Sequence, residues 1–395
     1  MTARGGGTIA TMPAAPAPAQ PPAPAPREAP GFGAYIHIPF CQRRCDYCAF
    51  ATWSDRSHLT GAYVAAVCTE AERAVDAGLP PAGSAYFGGG TPSLLPAEEL
   101  AAILGRIPLA PGAEVTVECN PEHVTLQWLT AYRDAGVTRL SLGAQSTVPH
   151  VLRSLGRQHD PAAVPAAVEA MAGAGFGAAY SVDLIFGAAG EAPADWERTV
   201  SDVLALDPPP RHVSAYALIP EPGTPLGAEP ARHPDPDDQA DKYRIVDDAL
   251  SAGGLGWYEI SNWASPGAAC RHNRLYWAQG EYRGFGCAAH SHAVLPDGRA
   301  RRWWNVHTPE RYISLVGSGQ SPAGAGELID AGVRTTERLQ LALRTRDGVA
   351  VADLPPGAEV TLVLDEGLAE RRGDRIVLTR RGRLLASEVT LLLLG

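Results

Sequence analysis

The chain has 395 residues, 45% of them apolar, enough for two or three domains around a sizeable core. Lys and Arg number 33 against 43 Asp and Glu, a formal charge of −10, so no basic surplus exists to condense on nucleic-acid phosphates. Mean hydropathy is −0.09 and the longest purely aliphatic run is Leu391 to Leu394, far short of the roughly 18 apolar residues of a membrane span.

Residues 1–30 hold eight prolines and nine alanines. Proline at that density breaks the apolar helix of a secretory signal, so residues 1–31 read as a disordered tail with polyproline II bias. From residue 34 onward, short β-forming runs alternate with amphipathic stretches. Strands are expected at 34–38, 84–87, 114–118, 139–142, 179–185, 212–218 and 257–260. Helices fit 59–77, 97–106, 126–135, 161–172, 194–206 and 237–252. Strand-then-helix repetition with near-continuous apolar strands predicts an α/β fold over 32–262. Six or seven such units suit an open or closed (β/α) barrel that works at the C-terminal edge of its strands. Residues 263–330, rich in Trp, His, Arg and Gly, read as a connecting segment with a hinge through Gly317, Gly319, Pro322, Gly324 and Gly326. Residues 331–395 read as a small α+β winged-helix-like domain. Its expected parts are a helix at 335–344, a helical stretch at 360–366 and a strand pair at 375–379 and near Arg383.

Three of the seven cysteines crowd into Cys41-x3-Cys45-x2-Cys48, directly after the first expected strand. Cys68, Cys119, Cys270 and Cys287 are scattered and read as small buried hydrophobes. A long chain with so few cysteines is no disulfide scaffold, and a reducing cytoplasm suits it better. Three thiolates on a loop leaving a strand tip suit a soft-metal cluster. Four-iron clusters normally take four cysteines, so three leave one iron open to a small chelating molecule. Zinc completed by His37 or a remote histidine, and plain reduced thiols, stay open as alternatives.

At these residues the chain resembles a known family. Tyr35-Ile-His-Ile-Pro-Phe-Cys41, followed by Cys45 and Tyr47-Cys48, looks like the signature of radical S-adenosylmethionine (SAM) proteins of the oxygen-independent coproporphyrinogen III oxidase-like family. The likeness continues through Gly88-Gly-Gly-Thr91-Pro92-Ser93, Glu118-Cys-Asn-Pro121, Ser141-Leu-Gly-Ala-Gln145, Leu155-Gly-Arg157 and Ser181-Val-Asp183, over roughly residues 32–395. The resemblance implies a partial (β/α)6 radical-SAM barrel and a [4Fe-4S] cluster on Cys41, Cys45 and Cys48. It also implies SAM in contact with Tyr35, Tyr47, Gly89, Gly90, Thr91, Glu118, Gln145, Arg157 and Asp183. The residue chemistry agrees. Glycine lets a ligand lie against the backbone, and carboxylates and Arg suit the amine, ribose and carboxylate of SAM. Thr91-Pro92 is expected to open a helix whose N-terminus favours a carboxylate. The chemistry implied is reductive cleavage of the sulfonium to a 5′-deoxyadenosyl radical, with electrons from a donor such as a flavodoxin or ferredoxin.

Two features bear on the substrate. Oxidases of this family carry a further cysteine two residues after the third, whereas this chain has Cys48-Ala49-Phe50. Cys270-Arg-His272-Asn273-Arg-Leu-Tyr276-Trp277 resembles a motif of the HemW heme-chaperone branch. That branch implies binding of heme and its transfer to an acceptor protein. His272 is then the candidate axial ligand, with Tyr276 and Trp277 able to stack on the macrocycle. His290, His292 and Cys287 compete for the same role. The alternative is an oxygen-independent coproporphyrinogen III oxidase that decarboxylates two propionates to vinyl groups, so whether the chain is an enzyme stays open at this point.

Overall fold

Six strand–helix units form the frame of the protein, a computed structural model of which describes residues 31–394. The expected tail, apart from Gly31, lies outside the described residues. Strands β1 (Gly33–Ile38), β2 (Ala82–Gly89), β3 (Leu109–Cys119), β4 (Arg139–Gln145), β5 (Tyr180–Phe186) and β6 (His212–Ala217) pair in parallel in that order. Helices α1 (Thr60–Asp76), α2 (Ala97–Leu104), α3 (Leu126–Asp134), α4 (Pro149–Ser154), α5 (Ala163–Gly173), α6 (Pro193–Leu204) and α7 (Pro236–Ala252) accompany them.

The strands alternate instead of being continuously apolar. Ile36, Phe87, Val117, Leu142, Val182 and Val213 lie in the core cluster with the apolar faces of helices such as α1 and α5. Each such side chain contributes about 1.5–3 kcal/mol on burial. The intervening Tyr35, Tyr86, Glu118, Ser141, Asp183 and Ser214 line a cavity on the other face. With side chains of period two, one face packs and the other forms a polar lumen.

The sheet extends at both edges. β8 (Asn262–Ala264) adds to β6 antiparallel, and β7 (Gly256–Glu259) adds to β8 antiparallel. The stretch expected at 257–260 is therefore paired antiparallel, with β8, and does not continue the parallel ladder. Only Ile260 and Ser261 separate β7 from β8, too little chain for a crossover. After α8 (Arg271–Trp277), β9 (Tyr282–Phe285) pairs in parallel with β1. β10 (His290–Val294), β11 (Ala300–Asn305), α9 (Pro309–Gly317) and β12 (Ala323–Ile329) follow, their strands antiparallel. The twelve-stranded order runs from β12 to β7 without closing. Gly324 and Gly326 belong to β12, not to a hinge. A Cβ on Gly326 would sit 2.9 Å from the Arg302 carbonyl, so glycine there permits close strand contact.

The last unit comprises α10 (Ala331–Leu343), β13 (Val349–Ala350), α11 (Val360–Asp365), β14 (Ala369–Arg372), β15 (Arg375–Leu378), α12 (Arg380–Leu384) and α13 (Ala386–Leu394). It has its own core of Leu339, Leu343, Val363, Ile376, Val389 and Leu393. Arg383 is helical, and β15 lies between β13 and β14, joined to β14 through a tight turn with Gly373 at φ +63°.

Candidate functional site

The cysteine loop is fixed at its base. Gly90 N–H donates to the Ile38 carbonyl (2.8 Å) and Thr91 N–H to that of Phe40 (2.8 Å). Cys41 N–H donates to Trp53 O (3.0 Å), and Trp53 N–H to Pro39 O (2.8 Å), closing residues 41–52 into a loop at the end of β1. A Cβ on Gly90 would stand 2.7 Å from the Phe40 oxygen, and Gly89 has φ +108°, so both positions require glycine. No helix opens at Thr91. Pro92–Leu94 is one 3-10 turn, and Leu95, which precedes Pro96, is extended, so α2 begins only at Ala97.

Cys41, Cys45 and Cys48 are half-buried on the wall of one cavity of about 1140 Å³. Burial pushes the Cys41 and Cys48 thiols up, with the neighbouring cysteines adding to the effect. Arg157, held by Asn120 Oδ1 (2.9 Å) and the Gly143 carbonyl (2.8 Å), points Nη1 at Cys45 Sγ (3.7 Å). His37 is not free to complete a zinc site. Its Nε2 lies 2.9 Å from the Ala51 carbonyl and so carries the proton, and its Nδ1 accepts from the Tyr35 hydroxyl (3.1 Å). Among the described residues no three His, Cys, Asp or Glu side chains converge on a single ion. Three half-buried thiols on one wall beside a guanidinium suit a thiolate-held metal centre.

The remaining expected residues line this same cavity. Glu118, near the end of β3, accepts from Tyr86 O–H (2.9 Å) and Gly89 N–H (3.1 Å). Asp183 sits in the middle of β5, not at a strand end, and accepts 2.7 Å bonds from Ser141 and Ser214. Gln145 ends β4 with φ +63°, at an irregularity of the β4–β5 ladder. Such a backbone in a non-glycine residue is costly and collects at functional sites. Tyr47 packs on a satellite apolar cluster that includes Val151, Ile185 and Leu218. Phe50 is 66% exposed at the rim.

His272 borders the cavity too, but it is 2% exposed and both nitrogens are engaged, Nδ1 by Ser84 (2.9 Å) and Nε2 by Tyr276 (2.9 Å). Ligating iron would require breaking the Tyr276 bond. His292 is arranged differently. Its Nδ1–H donates to the Gly280 carbonyl (2.9 Å), leaving Nε2 buried with no partner among the described residues. Asn120, Tyr86 and Ser214 were not singled out from the sequence. Asn120 sits inside the Glu118–Pro121 motif, and the period-two alternation of β2 and β6 was the signal for the other two.

Burial pushes Glu118 up from 4.5 to about 7, against the bonds from Tyr86 and Gly89. A carboxyl raised on folding holds its proton more tightly folded than unfolded. Its contribution is therefore fully present below about pH 4.5 and is lost as pH rises through 7. Glu118→Gln is expected to remove about 2–3 kcal/mol of the stability lost between about pH 5 and pH 8 in the ligand-free protein, read by urea unfolding. Identical pH slopes for the two proteins would discard this assignment.

Residues 35–203 match the model of the radical SAM superfamily. The chain is 41% identical to the heme chaperone HemW of Mycobacterium tuberculosis, over 96% of this chain and 97% of that protein. It is 34% identical to the heme chaperone HemW of Escherichia coli, over 72% of this chain and 76% of that one. The fold is that of the coproporphyrinogen III oxidase HemN from Escherichia coli, with a TM-score of 0.78, 20% identity, and 92% and 90% of the two chains covered. The chain thus belongs to the radical SAM superfamily and, within it, to the HemW family.

Proposed function

We propose that the protein binds heme and passes it to an acceptor protein, using a [4Fe-4S] cluster on Cys41, Cys45 and Cys48 and an exchangeable SAM. Superfamily membership implies the cluster and SAM. The heme-transfer reading is carried by full-length similarity to relatives named heme chaperones, whereas the likeness to the oxidase is one of fold. Phe50 at the cavity rim, where the oxidase pattern has another thiol, supports the same choice.

When bound, the cluster supplies one iron without a protein ligand, the point at which SAM chelates. Arg157 beside Cys45 balances thiolate charge. Glu118, in its ionised form, would hold the SAM amine, and Asp183 and Gln145 would offer polar contacts to its ribose and adenine. Gly89, Gly90 and Thr91 would let its methionine part lie against the backbone, with Tyr35 and Tyr47 as further contacts. For the heme iron, His292 offers a free Nε2 with its other nitrogen fixed on a carbonyl, the arrangement common to ligating histidines. His272 serves once Tyr276 lets go. An acceptor protein and a flavodoxin- or ferredoxin-type donor complete the scheme. No helix among the described residues is long and apolar enough to cross a membrane. The reading of the cysteines as a thiolate site with scattered reduced thiols supports a cytoplasmic location.

Anaerobically reconstituted protein is expected to take up about one heme per chain and release it to an apo-acceptor, read by Soret absorbance. Under the same conditions it should leave coproporphyrinogen III unchanged. Steady formation of protoporphyrinogen would overturn the chaperone reading in favour of the oxidase.

A further inference from the structure

The lumen has a second pole, at the end where its strands begin. Arg139 opens β4, His212 opens β6, and α8 with Cys270 just before it borders the same space. Arg139 is 7% exposed, and among the described residues its Nη2 has no hydrogen-bond partner. Glu114 and Asp183, carboxylates whose fields reach it, are engaged by other donors. Glu114 accepts from Arg271 N–H (2.8 Å) and the Cys270 thiol (3.5 Å), and Asp183 from its two serines. Among the described residues none pairs with Arg139 as a salt bridge. A buried guanidinium without a counter-ion is an expensive arrangement.

Its neighbours are donors as well. The Asn273 amide donates to the Tyr258 oxygen (3.0 Å), with Glu259 Oε1 at 3.4 Å fixing its orientation. The Tyr258 hydroxyl lies 2.9 Å from His212 Nε2, and with no other acceptor for its proton among the described residues we assign it as the donor to that nitrogen. On that assignment the His212 proton sits on Nδ1, which is buried and has no acceptor among the described residues. Thr116, paired with Arg139 across the β3–β4 ladder, has an unpartnered hydroxyl.

We propose that the floor of the lumen is an anion site, where the Arg139 guanidinium and His212 Nδ1–H hold a carboxylate of the molecule occupying the cavity. The planar guanidinium fork matches a carboxylate. Asp183 close by disfavours a doubly charged phosphate. Two sources carry that chemistry: a propionate of a tetrapyrrole, or a small organic acid. The site does not depend on heme transfer.

The test uses the full chain and three iron-free probes: mesoporphyrin IX, its dimethyl ester, and succinate. Fluorescence titration is expected to show the porphyrin diacid binding about tenfold or more tighter than the ester. Arg139→Gln should erase that preference with ester affinity unchanged, while Arg139→Lys should keep part of it. If Arg139→Gln misfolds by circular dichroism, His212→Phe should give a partial loss of the same preference. Stabilisation of the wild type by succinate, absent in Arg139→Gln, assigns the site to small acids and also supports it. Equal binding of diacid and ester without a succinate effect overturns the proposal, as does a preference that survives Arg139→Gln. Because no probe contains iron, a failure of heme transfer leaves this result readable.

Discussion

Replacing Cys41, Cys45 and Cys48 together with alanine is expected to reduce iron and acid-labile sulfide to background and to weaken SAM binding by more than about tenfold, with heme uptake retained. The geometry separates these effects. The three thiols stand at the strand-exit end of the cavity beside Arg157, whereas His292 lies on the antiparallel extension beyond β9. The fold should tolerate the change. The loop between Cys41 and Thr52 has no regular secondary structure, and its base is held by backbone bonds that alanine preserves. Thermal unfolding of the cluster-free proteins should therefore differ by no more than about 1 kcal/mol. Metal and sulfide analysis, equilibrium dialysis with SAM and a heme titration check the three readouts. Iron and sulfide retained by the triple variant would remove the cysteines from the cluster. Heme lost in step with iron would merge the two sites into one.

What was legible in the sequence is what local spacing dictates. Cysteines at fixed offsets after a strand, a triple glycine ending the next strand, and amphipathic helices within a few residues of their observed bounds all report on short-range chemistry. The lumen was half visible. Ala34 through Ile38 alternates apolar and polar, as do Arg139 through Leu142 and His212 through Ala215, yet these runs read as near-continuous apolar strands. The polar positions were the inward ones. Long-range pairing was not visible. β9 joins β1 from more than two hundred residues away, and only the folded ladder shows that the Trp- and His-rich stretch completes the sheet. The state of His272 was equally hidden. Its motif suggests a ligand, but Ser84, from a distant strand, occupies one of its nitrogens.

The C-terminal unit is tied to the barrel at one buried ion pair, so Arg383→Met is expected to cost about 3–5 kcal/mol of stability. Arg383 of α12 meets Asp247 of α7 through two bonds, of 2.9 and 2.7 Å, and donates to the Tyr243 hydroxyl (3.0 Å). Its guanidinium also lies 4.4 Å from the centre of the Trp257 ring. Methionine keeps much of the packing but leaves the buried Asp247 carboxylate with Trp263 N–H (2.9 Å) and a distant Arg380 (3.9 Å). The penalty is therefore chiefly that of a stranded charge. Adding Asp247→Asn to Arg383→Met should recover part of the loss, which a double-mutant cycle in urea measures directly. A cost below about 1 kcal/mol for Arg383→Met would show that apolar contact, not charge, holds the seam. The consequence reaches the cavity, because α10 of the same unit supplies Glu337 and Leu341 to its wall, and Glu337 pairs with Arg302 (3.2 Å) beside His292. Loosening the seam should thus raise protease cleavage near α10 and weaken retention of any ligand held at the β10–β11 side, while leaving the cysteine loop at the far end intact.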